Sequence, residues 1–397
     1  MAVQYSADSF VANQTLVLRI KFGGENRHLG RRQNFGNNLM NSVTKQKTSR
    51  PMKKYLSMKN LVIVLILISI CSCKQQNKER NNSEIEFELV GVQKWFNAWK
   101  LTANDILKIQ PHEPPLMLFF DDEYVYTNSN EPPKNSIEIN GPKFFGKELN
   151  WTKFKHNDSL TLPTNQRVPI GLMSFTAPIS NGSEKAFFVM GVPLFWKNAK
   201  VTSKELGDEN LYTSVFLHEF AHTQQNKIFG VKLDQFDRDN KFKLELSDDM
   251  IQEDFEKDSI YTKKIKAEIN MFYDAFHANN ILETKQLATK GLEMYNRRQK
   301  EYFVNDRAIY NTLDDFFLTM EGIGQYTTVA WLTHPKGGNL DIQKAVKGMR
   351  RGGKWWSQDE GLAMFLIYAK ISNPELGKEM FGSDLNMINQ LLEKQLK

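Results

Sequence analysis

Val215 to Thr223 reads Val-Phe-Leu-His-Glu-Phe-Ala-His-Thr, and this segment leaves the chain few options. Residues four apart on an α-helix lie one above the other on the same face, so His218 and His222 can aim two imidazoles at one metal ion. Glu219 follows the first of them, within reach of a water activated by that metal, as a general base would be. Two His, a carboxylate and one open position suit catalytic zinc. Leu211, Val215, Leu217 and Ala221 give the segment an apolar side, and Gly230 is placed to end the helix in a left-handed turn. The plainer reading is two surface histidines on an ordinary helix.

A zinc hydrolase takes three protein ligands and leaves one position for water. Both cysteines, Cys71 and Cys73, lie in the leader, so the remaining chain has no thiolate to offer and its ligands must be His, Asp or Glu. Glu321 is the candidate. It sits in Phe316-Phe317-Leu318-Thr319-Met320-Glu321-Gly322-Ile323-Gly324-Gln325-Tyr326, and a carboxylate in so apolar a segment needs a partner. Gly322 and Gly324 have no side chains and would let another helix approach closely. The competing reading pairs Glu321 with a buried Lys or Arg. Glu245 is the rival ligand, nearer in sequence but in a charged segment. Asp314 is placed to orient a His ring. His112, His156, His277 and His334 read as structural or surface residues, and Tyr326 lies off the Glu321 face.

His218-Glu219-Phe220-Ala221-His222 resembles the active-site helix of zincin metallopeptidases. The metzincin branch needs a Gly and a third His further on, where this chain has Gln225 and Ile228, so that branch is excluded. The remainder resembles the gluzincin branch, in which a Glu on a later helix is the third ligand, and Glu321-Gly322 with Tyr326 is similar to that helix in several gluzincin families. The resemblance implies a zincin-like α+β fold: a small mixed sheet, then the active-site helix, then a mainly helical C-terminal part. It also implies that the sheet's edge strand borders the cleft and pairs with extended substrate. Ala186–Val192, just before the motif helix, takes that role in this reading. Pro193 agrees, since proline favours strand ends and edges, although an ordinary core strand would look the same.

Leu61 to Ile70 is an apolar run broken only by Ser69, too short for the roughly 20 residues a bilayer span takes. Lys53, Lys54 and Lys59 precede it and Cys71-Ser72-Cys73 follows, the order of a secretory signal. The ending resembles a bacterial lipoprotein signal, which implies lipidation of Cys73, with Cys71 the alternative, and attachment to a membrane of the cell envelope through an N-terminal lipid. A short buried strand or helix is the other reading. Residues 1–51 are then an over-extended N-terminus, with translation starting at Met52 or Met58. Residues 52–73 form the signal peptide, 74–84 a polar tether, and 85–397 the metallopeptidase domain, divided at Gly230 into a sheet-bearing and a helical part.

The formal charge of +6 is misleading. Residues 1–57 hold 10 Lys/Arg and 2 Asp/Glu, Lys59 adds one positive charge, and the part from Lys74 onward is left with −3. Nothing there supports binding to nucleic acid. Helical spacing predicts a helix over Val90–Ile109. Strands are expected at Leu116–Phe120, Tyr124–Thr127, Val168–Ile179 and Ala186–Trp196. Three long helices, Met250–Ala278, Ile281–Phe303 and Asp306–Leu332, come next. Ser357 and Glu360 form a capping box before another helix, and the last helix starts at Leu385. Strands followed by helices make an α+β architecture. The function that follows is a lipid-anchored zinc metallopeptidase acting on a peptide or protein substrate. The alternatives are a cell-envelope binding lipoprotein with a vestigial or structural zinc site, and zinc-dependent hydrolysis of a non-peptide bond. An intact Glu219 favours an enzyme.

Overall fold

The computed structural model describes residues 85–109, 113–239 and 246–397. The Leu61–Ile70 run, Cys73, the tether and residues 1–51 fall outside the described residues, as do His112 and the rival ligand Glu245. Among the described residues no helix is long and apolar enough to cross a membrane.

The expected first helix is α1 (Val90–Leu101), extended by a wider turn to Leu107. It buries Val92, Trp95, Phe96 and Trp99 along one stripe and ends where Lys108 takes a φ of 54°. β1 (Leu116–Phe120) and β2 (Tyr124–Thr127) form an antiparallel hairpin. The acidic triplet between them closes the turn. Asp121 Oδ1 accepts from the backbone N–H of Glu123 at 2.8 Å and of Tyr124 at 2.6 Å, a local bond that competes with continued strand. β3 (Ile137–Ile139) and β4 (Trp151–Lys155) extend this side, and β5 (Ser159–Thr161) with β6 (Arg167–Pro169) forms a separate hairpin. β7 (Ser174–Pro178) and β8 (Ala186–Gly191) complete a six-stranded mixed sheet of order β3-β4-β2-β1-β8-β7. Only β1 and β8 run parallel.

The order of the strands corrects one expectation. Ala186–Val192 is not the edge: β8 lies between β1 and β7, and the edge is β7. The reason is burial on both faces. Phe188 and Met190 point into the larger core with Met117 and Phe119, while Phe187 and Val189 point into a smaller one with Leu118, Phe120 and Phe175. A strand covered on both sides reads as an unbroken apolar run, and each such Phe contributes about 1.5–3 kcal/mol of burial. Pro193 marks the end of the strand by opening α2 (Pro193–Asn198) at its first residue, where a missing N–H costs nothing. Val168–Ile179 likewise divides into β6 and β7, separated by Ile170-Gly171-Leu172-Met173.

The motif helix α3 (Asp208–Gln225) lies across the larger core face of the sheet, over β7 and β8 and beside α1. Phe216 and Phe220 pack on Phe188, with ring centroids 5.5 and 5.4 Å away. Gly230 does not end this helix. Its φ of −63° is right-handed, and the chain continues through a wider turn (Asn226–Gly230) into α4 (Val231–Arg238). What Gly230 supplies is space, because a Cβ there would lie 2.0 Å from Asn226 Oδ1.

The second half is helical as expected. The long helix expected over Met250–Ala278 divides into α5 (Met250–Phe255) and α6 (Ser259–His277), since Asp258 caps α6 by accepting from Ile260 and Tyr261 N–H. α7 (Ile281–Tyr302) and α8 (Tyr310–Thr333) follow, then α9 (Ile342–Arg350), α10 (Trp356–Ile371), α11 (Leu376–Phe381) and α12 (Ile388–Leu396). α8 packs on both α3 and α10. At the second crossing a Cβ on Gly322 would lie 2.6 Å from the backbone carbon of Gly361, so the two glycines set how closely these helices approach.

Candidate metal centre

Two of the three ligand candidates come from α3 and the third from α8, 103 residues later. The helix repeat stacks His218 over His222, with ring centroids 4.8 Å apart and planes at 89°. Their Nε2 atoms face each other at 3.2 Å. Glu321 closes the group, with Oε2 3.1 Å from His218 Nε2 and Oε1 3.5 Å from His222 Nε2. His218 and Glu321 are buried, at 6% and 2% exposure. These residues form the one group of three or more His, Cys, Asp or Glu among the described residues that could hold a metal ion. The spacing fits such an ion. Donors at about 2.0–2.1 Å from a tetrahedral centre stand roughly 3.3 Å apart, which the three distances bracket.

Neighbouring side chains aim these donors. Gln225 Oε1 accepts from His222 Nδ1 at 2.9 Å. That bond places the ring proton on Nδ1 and leaves the Nε2 lone pair toward the centre. Gln225, which in the sequence served only to exclude a branch, here orients a candidate ligand. Gln358 Nε2 donates to Glu321 Oε2 at 3.2 Å, and Gln325 Nε2 donates to Gln358 Oε1 at 2.7 Å. His218 has Gly324 against its ring: a Cβ at 324 would lie 2.8 Å from Nδ1. The two glycines of the α8 segment therefore do different things, one for a helix and one for a ligand.

Without a metal, burial and the mutual charges of the three side chains work against one another. Burial opposes charge on His218, but the hydrogen bond and charge of Glu321 outweigh it and raise the ring above its ordinary value. Burial holds His222 below its own, with Glu321 only partly offsetting. Burial also opposes charge on Glu321, yet His222 and the His218 hydrogen bond hold its carboxyl below the usual range. Ligands bind metal in their deprotonated forms, so an ion held here would compete with a proton for His218.

Glu219 lines the same cleft as the three candidate ligands. Burial pushes its carboxyl up to about 8; Glu321 adds to the rise while His218 and Arg351 oppose it. The backbone carbonyl of Glu219 accepts from Thr176 Oγ1 at 2.7 Å, which fastens the edge strand β7 to α3 beside the centre. Ser174, Phe175 and Thr176 form the β7 wall.

Arg351 went unnoticed in the sequence. It follows α9 in the left-handed region, φ 46°, and with His218, Glu219 and Gln358 lines a small pocket behind the centre. Burial pulls its guanidinium down to about 10, with Glu219 countering. The only hint was the Arg350-Arg351-Gly352-Gly353 run, whose two glycines also have positive φ. Asp248 and Asp249, just after the charged segment that holds Glu245, also line the cleft.

Two expectations fail at this level. Asp314 orients no histidine: it pairs with Arg298 Nη1 at 3.0 Å. Glu360 is no cap, because α10 begins at Trp356 after an N-cap Trp355 without a side-chain bond. Instead Glu360 is buried 3.6 Å from Arg298. Arg298 is fully buried and also binds Glu268 through Nε and Nη2 at 2.8–3.1 Å. The Lys- and Arg-rich faces of α6 and α7 are thus solvated with this exception. His156 bonds Asp121 O, His277 faces Gln343, His334 accepts from Lys336 N–H, and Tyr326 packs on Phe365; none joins the metal group. No family model, no curated protein and no solved structure matches this chain.

Proposed function

We propose that this chain is a zinc-dependent metallopeptidase of the gluzincin type. The observation that carries the reading is the buried triangle of His218 Nε2, His222 Nε2 and the Glu321 carboxylate, with Glu219 lining the same cleft. Two imidazoles and one carboxylate, without thiolate, favour zinc. When bound, zinc polarises a carbonyl and lowers the pKa of a water.

The chain's own residues do the rest. Glu219 accepts the proton of the attacking water and passes it toward the leaving amine. A carboxyl raised by burial is suited to both halves of that transfer near neutral pH. Gln225 and Gln358 hold His222 and Glu321 in place. Arg351 lines a small pocket with Glu219, and its positive charge opposes the rise of the Glu219 carboxyl. The edge strand β7, which lines the cleft, offers backbone groups to an extended substrate, the mode by which sheets capture peptides. The zincin-like character of the fold belongs to the same proposal, supported by a mixed sheet, a motif helix lying on it and a third ligand from the helical half. So do lipidation at Cys73 and residence on a membrane of the cell envelope, supported by the sequence of the leader.

The test uses the chain from residue 74 onward, metal-stripped and then titrated with zinc. Zinc should bind near one equivalent and switch on hydrolysis of a mixed peptide library. Glu219→Gln should keep zinc and lose at least a hundredfold in rate, the lower end expected of a general base. Undiminished turnover in that variant refutes the mechanism, and stoichiometric zinc without cleavage of any peptide favours a binding lipoprotein.

A further inference from the structure

The cleft carries more negative charge than a metal centre uses. Asp248 and Asp249 lie in the turn before α5 and line the cavity that holds the ligands and Glu219. Asp249 is only 8% exposed. Among the described residues, no hydrogen bond or ion pair engages its carboxylate. Burying a carboxylate without a partner is costly, and these two lie next to each other. Glu219, Glu321, Asp248 and Asp249 bring four carboxyl groups to one cleft, more than three-ligand zinc coordination uses.

The same cleft is also lined by apolar Phe175, Phe229, Leu233, Met320 and Trp355. A cleft that offers both apolar surface and carboxylates suits a group with an aliphatic stem and a cationic head. We propose that Asp248 and Asp249 form a subsite for the ammonium or guanidinium group of a substrate. This rests on the peptidase reading for its setting, but the cation site stands or falls on its own. A peptide paired along β7 projects alternate side chains toward opposite walls, so a Lys or Arg side chain reaches the pair from within a chain; a substrate's terminal amine reaches it only when the chain starts there. The direction of the titration shifts agrees. Burial holds both carboxyls above the usual range, Asp249 at about 7, with Glu321 adding to each and Lys354 only partly opposing the rise at Asp249.

The experiment titrates the zinc-loaded chain with n-butylguanidinium and with its neutral isostere n-butylurea, read by calorimetry. The guanidinium should bind at least tenfold more tightly, and that preference should vanish in Asp249→Asn and in Asp248→Asn, whose thermal midpoints show that they fold. Equal binding of the two probes by the wild-type chain, or an undiminished preference in both variants, overturns the subsite. Cleavage then separates the sources. A blocked peptide with one internal Arg, preferred over its citrulline counterpart, assigns the side chain; preference for an unblocked citrulline peptide assigns the terminal amine. If guanidinium is preferred but no peptide is cut, the subsite survives and the peptidase reading fails.

Discussion

Gly324→Ala should weaken zinc binding without unfolding the protein. A Cβ at this position would stand 2.8 Å from His218 Nδ1 and 2.9 Å from Cε1, against 3.4 Å for ordinary contact. The ring must therefore retreat by about 0.6 Å, several times the ~0.2 Å that ligand distances tolerate. Displacing a ligand through its support typically costs 10- to 100-fold in metal affinity, or about 1.4–2.8 kcal/mol. The metal-free fold should barely notice. Gly→Ala inside a helix contributes about 1 kcal/mol of stability, which offsets part of the repacking cost of about 1–3 kcal/mol. Gly322→Ala is the contrast, because its Cβ meets the Gly361 backbone at 2.6 Å and would force α8 from α10. That variant should lower the thermal midpoint of the metal-free protein first. Zinc titration against a competing chelator, with a melt of each metal-free protein, reads both. Wild-type zinc affinity in Gly324→Ala would refute the placement of His218 in the centre.

Gln225→Leu removes the bond that sets the His222 tautomer and should cost about 10- to 100-fold in zinc affinity, read by the same titration. Glu321→Gln should weaken zinc while leaving the metal-free melt unchanged or higher; a lower melt with intact zinc affinity would assign Glu321 a packing role instead. Arg298→Met strands Glu268 and Asp314 without their cation and should cost about 3–5 kcal/mol in denaturant unfolding. Glu360→Gln should cost far less, because burial, with Glu268 adding, already holds the Glu360 carboxyl well above its usual range. Burial also raises Asp314 from 3.8 to about 6 despite Arg298. A raised carboxyl stabilises the fold fully below its unfolded value and loses that contribution as pH rises through the folded one. Stability should thus carry a downward component between pH 3.8 and about 6 that is missing in Asp314→Asn, measured by urea unfolding across that range.

The sequence was most informative where chemistry conflicts with its surroundings. Glu321 stood out because an acid among Phe, Leu, Met and Ile must be paid for by a partner, and the partner is the His pair. Its glycines were legible as points of close approach, though not that one faces a ring. Signals with two physical meanings misled. Gly230 carries the mark of a helix end, but glycine also answers crowding, here by Asn226. Pro193 suits a strand end and equally a helix start. Ser357 and Glu360 spell a cap, yet three helices converge on Arg298 and draw Glu360 inward. Strand order is not written locally at all: β1 and β8 meet across some seventy residues, so the edge could not be read from β8 alone. Arg351 and the Asp248–Asp249 pair lie in connecting segments, where hydrophobic periodicity is silent.

The bond that Glu321 would make reaches across 103 residues of chain, from the helix on the sheet to the centre of the helical half. Closing a loop of that length costs a free chain about 4 kcal/mol in entropy beyond the fixed part. A metal held at both ends would act on the unfolded ensemble much as a disulfide of similar span does, except that a chelator can undo it. The two histidines alone can gather an ion early, on a single helix. The third donor would arrive only after strands, motif helix and helical half have met, so full coordination of a metal would come among the last events of folding. Stripping such an ion should then ease the separation of the two halves, while each half keeps its secondary structure.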